Sequence, residues 1–191
     1  MIFYKGSDNM DFSVIISGFG GQGVLMMGEL LAYCAMKSGM NVTWMPAYGV
    51  EMRGGSANCT VVLSQKPIGA PLTGTPDAVI AMSEPAMNKF AARLQPEGLL
   101  MINSSLINNE QQPVKKIKTV KVPAGELAAA AGNEKMANLT MLGAFFAETN
   151  IIDYNEVTSQ IASFLPAHKK ELVVGFKKAL HQGKHFVDSQ L

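Results

Sequence analysis

The segment that decides the fold runs Phe12-Ser-Val-Ile-Ile-Ser-Gly-Phe-Gly-Gly-Gln-Gly23 and continues into an apolar stretch that ends at Lys37. Its first part, up to Ser17, is a short, mostly apolar run with β-branched side chains, which is typical of a buried strand. Val24 to Lys37 has the length of a helix and is rich in Leu, Met, Ala and Glu, which favour helices. Glycines occupy the turn between the two. The segment therefore predicts a strand, a glycine turn and a helix, which together begin a βαβ unit.

Two further strands follow, and the short link between them sets their relative direction. Asn41 to Met45 predicts the second strand, which would close the βαβ unit, and Ala57 to Ser64 predicts the third. Residues 46–55 lie between them. A parallel crossover needs a dozen or more residues, so this link is too short for one. We therefore expect the third strand to be antiparallel and the sheet to be mixed.

The remaining chain alternates predicted strands with helices and then becomes helical. Ser83 stands where a helix N-cap is expected, with Glu84 and Pro85 in the first turn. We expect a single domain, residues 1–191, with three α/β/α layers, a mixed, mostly parallel sheet of about five to six strands and a helical C-terminal portion. The predicted strands are Asp77–Met82, Gly98–Asn103 and Ile117–Val122, and the predicted helices are Ala86–Leu94, Ala124–Ala131, Lys135–Thr149, Tyr154–Leu165 and Pro166–His181.

The charge content argues against several classes of protein. The 191 residues include 16 Lys+Arg and 15 Asp+Glu, and charged residues make up 16% of the chain, against about 25% in a typical soluble domain. The apolar share of 48% excludes an intrinsically disordered chain, and the net charge of +1 argues against a nucleic-acid binder. The predicted helices Val24–Lys37 and Leu139–Ala147 are apolar almost all round, which indicates either a well-covered core or a subunit interface. The low charge favours a subunit of a larger assembly.

Cys34 and Cys59 are the two cysteines of the chain, and no Cys/His cluster has metal-ligand spacing. An iron–sulfur cluster or a structural zinc site needs more ligands than this pattern offers. Isolated thiols suit a reducing compartment, and the longest apolar run, Val24 to Met40, is interrupted by charges. We therefore expect a cytoplasmic protein without a membrane segment or a metal site. The histidines lie outside any motif, and we assign no catalytic residue.

The glycines between strand and helix match the pattern G-x-G-x-x-G from Gly18 to Gly23. Such a turn lets a ligand approach the backbone, and the free N–H groups of the following helix then face an anion. Close packing of strand and helix would also require glycines, so both interpretations stay open. A dinucleotide fold needs an acid near the end of the second strand to bind the ribose hydroxyls, and Trp44-Met45-Pro46 supplies none. A P-loop is excluded because Glu29 stands where that motif has lysine.

A second loop, from Trp44 to Asn58, combines aromatic residues, glycines and the charged pair Glu51 and Arg53. Glycines beside charged residues suit a loop whose backbone comes close to a ligand or a partner chain. The alternative is a loop whose charges are simply solvated. Ser56 is no serine-hydrolase nucleophile, because Asn58 replaces the second glycine of G-x-S-x-G.

Three segments of the chain together resemble a known family. They are the string Gly18–Gly23, the run Trp44-Met-Pro-Ala-Tyr-Gly-Val-Glu-Met-Arg-Gly-Gly-Ser-Ala-Asn-Cys-Thr-Val-Val62, and Pro76-Asp-Ala-Val-Ile-Ala-Met82. The chain resembles the gamma subunit of 2-oxoacid:ferredoxin oxidoreductases, in the family of pyruvate ferredoxin oxidoreductase gamma domains. Within that group it is most similar to the 2-oxoglutarate or 2-oxoisovalerate branch. The resemblance spans most of the chain and is strongest over residues 12–105.

The resemblance implies a complex that oxidatively decarboxylates a 2-oxoacid with coenzyme A and yields acyl-CoA, carbon dioxide and reduced ferredoxin. Alpha, beta and delta-type iron–sulfur subunits would carry thiamine diphosphate, Mg and the clusters, and ferredoxin would accept the electrons. The gamma subunit would help to form the coenzyme A side of the site. A rival interpretation is a stand-alone nucleotide- or CoA-binding module, and a weaker one is an NAD-linked dehydrogenase.

The coenzyme A site expected from this resemblance joins both loops. The backbone and amide N–H groups of the glycine string would donate hydrogen bonds to phosphate. Arg53 would pair with phosphate or cross to the catalytic subunit. The residues assigned to the site are Gly18, Gly20, Gly21, Gln22, Gly23, Glu51, Arg53, Gly54, Gly55 and Asn58.

Overall fold

The computed structural model describes residues 11–48, 55–108 and 116–190. Within these ranges one sheet has the strand order β2-β3-β1-β4-β5-β6. β3 runs antiparallel to both β2 and β1, whereas β1, β4, β5 and β6 are parallel to one another. The expected mixed, mostly parallel sheet is confirmed. The strands are β1 (Asp11–Phe19), β2 (Asn41–Tyr48), β3 (Ser56–Ser64), β4 (Ala78–Ala81), β5 (Leu99–Asn103) and β6 (Lys118–Val122).

β3 lies between the first two strands of the predicted βαβ unit. β1 and β2 run in the same direction, but each pairs with β3 rather than with the other. Ser17 and Ala47 therefore flank Asn58 from opposite sides. The antiparallel third strand is confirmed, and the short link explains it, because such a link lets the chain turn back but not cross the sheet.

Helices cover the two faces of the sheet unequally. α1, α4, α5 and α6 pack on one face, around Phe12, Val14 and Ile16, and α2 packs on the other, around Ile15 and Val79. These three layers confirm the expected architecture. No helix in the described part of the chain is long and apolar enough to cross a membrane. The helices are α1 (Val24–Lys37), α2 (Glu84–Phe90), α3 (Ala124–Ala130), α4 (Ala137–Thr149), α5 (Tyr154–Phe164) and α6 (Val173–Asp188), and 3-10 segments cover Ala91–Arg93, Glu134–Met136 and Ala167–Leu172.

α4 is enclosed by the core of the chain itself. Every residue from Asn138 to Thr149 is buried, and the ring of Phe145 lies 6.1 Å from that of Phe12 on β1. For this helix the all-round apolar sequence reflects a well-covered core. α1 differs, because it buries Leu30 and Leu31 but leaves Met36 exposed near its C-terminal end.

The C-terminal helix begins and ends later than the sequence indicates. The predicted helix from Pro166 to His181 starts as a 3-10 segment, in which Lys169 has a non-helical φ of −121°, and α6 then continues to Asp188. A glycine often marks the end of a helix. Gly183 instead lies inside α6, where it packs against the backbone of α4.

Candidate functional site

The glycine loop lies where the chain switches between the two faces of the sheet. After β1, residues 20–23 lead into α1 on one face, whereas the chain after β4 enters α2 on the opposite face. β1 and β4 are parallel neighbours, so their carboxyl ends flank one crevice. Open α/β sheets bind ligands in such a crevice, at the point where the strand order reverses. The fold thus places the glycine loop where α/β proteins commonly hold ligands.

Hydrogen bonds within the protein hold this loop from several sides. The N–H of Gly20 donates to the carbonyl of Gly55 at 2.9 Å, and that of Gln22 donates to the carbonyl of Phe19 at 3.2 Å. The side-chain Oε1 of Gln22 accepts from the N–H of Phe19 at 2.7 Å, and its Nε2 donates to the carbonyl of Met82 at 3.0 Å. Gln22 therefore ties the end of β1 to the end of β4, and several donors of the loop are already paired.

The glycines of the loop serve different purposes. A Cβ on Gly18 would lie 2.4 Å from Oε1 of Gln22, and one on Gly23 would lie 2.3 Å from Nδ2 of Asn138. Close packing therefore accounts for both. Gly21 has a φ of 96°, and apart from its chain neighbours no described residue comes within 4 Å of the position of its Cβ. Gly21 is thus open to the outside, as a ligand-facing position should be.

Beside this open position, the first N–H groups of α1 have no hydrogen-bond acceptor among the described residues. The first helical hydrogen bond runs from the N–H of Met27 to the carbonyl of Gly23 at 3.0 Å. The N–H groups of Val24, Leu25 and Met26 precede it and have no carbonyl one turn back to accept them. The first turn of α1 contains no acidic residue, so nothing there offsets the positive end of the helix dipole. This end of α1 can receive an anion.

The structure brings together only part of the predicted site. Gly18 lies near the end of β1, and residues 20–23 form the loop that follows. Gly55 accepts a hydrogen bond from this loop, and Asn58 lies on β3 opposite Ser17, one residue before Gly18. The predicted residues Glu51, Arg53 and Gly54 lie outside the described residues. Their part in the site stays a prediction.

Asn138 is a neighbour of the loop and is not among the predicted site residues. It is 4% exposed, and its Nδ2 donates to the carbonyl of Gly23 at 3.4 Å. Its position in the sequence is a usable signal, because it is a single amide directly before the apolar run Leu139–Ala147. Buried amides generally have a hydrogen-bond partner, so one is expected here. The identity of that partner, Gly23, cannot be read from the sequence, because the two residues are 115 positions apart and meet only in the folded chain.

Ser83 occupies the predicted N-cap position of α2 without capping it. It precedes the helix in extended conformation, but its side chain makes no capping hydrogen bond. Its hydroxyl is buried and has no partner among the described residues. The expected position of the helix start is therefore confirmed, and the expected capping bond is not present.

The thiols of the chain are unsuited to nucleophilic chemistry. Burial raises the pKa of Cys34 and of Cys59 to about 12, and the thiolate is the reactive form of cysteine. In the described residues no group of three or more His, Cys, Asp and Glu side chains is placed to hold a metal ion. What the glycine loop offers chemically is a set of backbone N–H donors at the start of α1, which suit an anionic group.

A family model described as pyruvate ferredoxin/flavodoxin oxidoreductase matches residues 13–185. The chain belongs to this family. The match begins in β1, includes the glycine loop and ends in α6, so it covers nearly all of the fold. It confirms the resemblance indicated by the glycine string and by the run from Trp44 to Val62.

The part of a curated relative that this chain matches is most of the relative in one case and a smaller part in another. Ketoisovalerate oxidoreductase subunit VorA of Methanothermobacter thermautotrophicus is 40% identical over 134 residues, which are 70% of this chain and 28% of the relative. 2-Oxoglutarate synthase subunit KorC of Methanothermobacter marburgensis is 31% identical over 162 residues, which are 82% of this chain and 87% of the relative. The chain thus spans 28% of the length of the first relative and most of the second.

Among solved structures, the same fold occurs both as a whole chain and as part of a longer chain. The gamma subunit of a keto/oxoacid ferredoxin oxidoreductase from Geobacter sulfurreducens matches with a TM-score of 0.77 and 27% identity, over 93% of this chain and 99% of that one. A chain of 2-oxoglutarate:ferredoxin oxidoreductase from Magnetococcus marinus matches with a TM-score of 0.81 and 19% identity, over 94% of this chain and 31% of that one. The second likeness concerns the fold alone.

Proposed function

We propose that the chain is the gamma-type subunit of a multi-subunit 2-oxoacid:ferredoxin oxidoreductase, which converts a 2-oxoacid and coenzyme A to acyl-CoA, carbon dioxide and reduced ferredoxin. The observation that carries this proposal is the family match over residues 13–185, together with a gamma subunit that covers 93% of the chain. Chemistry on the 2-oxoacid would take place in partner subunits. The chain has two cysteines, fewer than the four thiolates of a typical iron–sulfur cluster, so the clusters would also belong to partners.

Within this complex, the role we propose for the chain is to bind coenzyme A. Coenzyme A carries phosphate groups, and the open N–H groups at the start of α1, beside Gly21, are suited to an anion. Arg53 would add a charge that pairs with phosphate, and Glu51, Gly54, Gly55 and Asn58 would complete the site from the second loop. The Magnetococcus marinus enzyme, one part of which shares the fold of this chain, was solved with coenzyme A and succinyl-CoA bound.

The sheet topology argues against the NAD-linked alternative. In a dinucleotide fold the second strand lies next to the first and carries an acid for the ribose at its end. Here β3 separates β2 from β1, so β2 lies two strand spacings, roughly 10 Å, from β1. β2 also contains no acidic residue. A stand-alone binding module is less well supported, because the named relatives are subunits of oxidoreductases.

The subunit proposal is tested by isolating the tagged chain from its native cell. The eluate should contain larger chains and a brown iron–sulfur absorbance, and it should reduce a viologen dye with coenzyme A and a 2-oxoacid. A panel that includes 2-oxoglutarate and 2-oxoisovalerate, the acids of the named relatives, would identify the substrate. A chain that elutes alone and colourless, and reduces NAD with some substrate, would contradict the proposal.

The coenzyme A site is tested separately with Gly21→Asp and Gly21→Asn in the assembled complex. Both side chains meet the same backbone strain and enter the same open space, so their difference reports the added charge. Repulsion of about 1 kcal/mol between the carboxylate and a phosphate would raise the KM for coenzyme A about fivefold for Asp relative to Asn. The kcat should stay equal. Equal KM values would show that no phosphate lies beside Gly21.

A further inference from the structure

Asn138 reaches the glycine loop from a separate part of the fold. It is the second residue of α4 and is buried. Its side-chain amide donates to the carbonyl of Gly23 at 3.4 Å. The residues that follow it, Leu139 to Ala147, are largely apolar and lie in the core. A buried amide at this point needs a polar partner, and the loop supplies it.

The shape of the loop is matched to this amide. A Cβ on Gly23 would lie 2.3 Å from Nδ2 and 2.8 Å from Cγ of Asn138, so the amide occupies the space that a side chain at position 23 would need. Gly23 also has a φ of 72°, which favours glycine. The space taken by Asn138 and the positive φ are therefore two independent reasons for glycine at position 23.

The contact bears directly on a donor of the proposed site. The carbonyl of Gly23 and the N–H of Val24 belong to one planar peptide unit and point in opposite directions. The carbonyl accepts from Met27 at 3.0 Å and from Asn138 at 3.4 Å, which uses both of its lone pairs. Two donors on one side fix the orientation of the peptide, and the N–H of Val24 on the other side is fixed with it.

We propose that Asn138 is a positioning residue that aims the N–H of Val24 at a phosphate of coenzyme A. This inference rests on the coenzyme A site proposed above. Asn138 is itself held rigidly, because α4 packs against α6 with backbone contact at Gly143 and Gly183. The side chain needs no contact with the ligand. Its effect passes through the Gly23–Val24 peptide alone.

The test compares Asn138→Ala with the matched control Thr140→Val in the assembled complex. Thr140 lies two residues further along α4 and is also buried, and its hydroxyl donates to the carbonyl of Met136 within its own helix. Both variants remove one side-chain hydrogen bond from α4. Asn138→Ala should raise the KM for coenzyme A about fivefold, which corresponds to one ordinary hydrogen bond, and leave kcat unchanged. Thr140→Val should leave both unchanged.

Pantetheine, which has the thiol arm of coenzyme A but no phosphate, separates positioning from general damage. Its KM should be the same for the native complex and for Asn138→Ala. If Asn138→Ala raises both KM values equally, or leaves the KM for coenzyme A unchanged, the inference fails. If the alanine variant does not assemble, Asn138→Ser, whose hydroxyl is too short to keep the 3.4 Å contact, carries the same comparison.

The Gly21→Asp and Gly21→Asn variants distinguish a failure of the proposed coenzyme A site from a failure of the positioning role of Asn138. An effect of Gly21→Asp together with no effect of Asn138→Ala overturns the positioning role and leaves the coenzyme A site standing. Equal KM values for Gly21→Asp and Gly21→Asn overturn the site, and the positioning role falls with it. Effects at both positions, with pantetheine unaffected, support both.

Discussion

Gln22 joins the first and fourth strands through both ends of its amide. The glycine pattern suggested Gln22 as a donor to a ligand, but its Oε1 faces Phe19 and its Nε2 is bonded to Met82. An amide nitrogen has two hydrogens, so one remains that the contact with Met82 does not use. The residue thus shapes the loop first, and only this remaining N–H can serve a ligand.

Cys34 and Cys59 should make the folded chain less stable at alkaline pH. Burial raises each pKa from 9.0 to about 12, so the folded state keeps the thiols neutral while the unfolded state ionises above about pH 9. Because the folded pKa is the higher one, the contribution to stability is complete below pH 9 and is lost as the pH rises from 9 towards 12. At pH 10 the loss should be roughly 1.4 kcal/mol for each thiol. Urea unfolding at pH 8, 9 and 10 measures it.

The double variant Cys34→Ala and Cys59→Ala is the control for this titration. It should be less stable than the native chain at pH 8, since it removes two buried side chains. Its free energy of unfolding should, however, fall less between pH 8 and pH 10. The pKa of Tyr154 is also raised to about 12 by burial, from an ordinary value of 10.0, so it adds a loss of about 0.4 kcal/mol at pH 10, which is the same in both proteins. An equal fall in both proteins would contradict the assignment to the thiols.

Two glycines set the distance between α4 and α6. A Cβ on Gly143 would lie 2.0 Å from the carbonyl oxygen of Leu180, and one on Gly183 would lie 1.8 Å from that of Thr140. Contacts this short involve backbone and cannot be relieved by rotating a side chain. Gly183→Ala should therefore force the helices apart and lower the free energy of unfolding by about 1–3 kcal/mol, as measured by urea denaturation.

Gly175→Ala, on the same helix, provides the matched comparison. There a Cβ would lie 2.9 Å from Cε of Met136, the far end of a flexible side chain that can move away. Alanine is the better helix former by about 1 kcal/mol, so this variant should be neutral or stabilising. If the two variants change stability alike, helix propensity rather than backbone contact decides the effect.

The elements that the sequence predicts well are those with local signals. The apolar run of β1, the glycine turn and the short link before β3 were sufficient for the strand, the loop and the antiparallel pairing. The end of α6 was not predictable, because Gly183 signals a helix end locally and is used for packing. Asn138 is not predictable from the sequence for a similar reason, since its partner Gly23 is brought near only by the fold.

At the scale of the whole molecule, the uncharged strands form a region that the described residues leave partly open. β2 and β3 contain no charged residue. On the face where α2 packs, α2 contacts β1 and β4, and residues 67–73 lie beside Val62. Met45 on β2 is 41% exposed, and Phe19, which continues the series Ile15 and Ser17 on β1, is 39% exposed. A chain with only 16% charged residues would gain from covering such a surface in a complex.

Met45→Lys tests whether this open region lies against a partner subunit of the proposed complex. A lysine there would place an unpaired charge in an interface formed by uncharged strands, and its desolvation should weaken binding. We expect much less of the larger chains to co-purify with the variant, while its melting temperature in isolation stays close to that of the native chain. Met36→Lys is the control, because Met36 is 55% exposed at the end of α1 beside Lys37, so a new lysine there stays in water. Normal assembly of Met45→Lys, or equal losses for both variants, would place the partner on another surface.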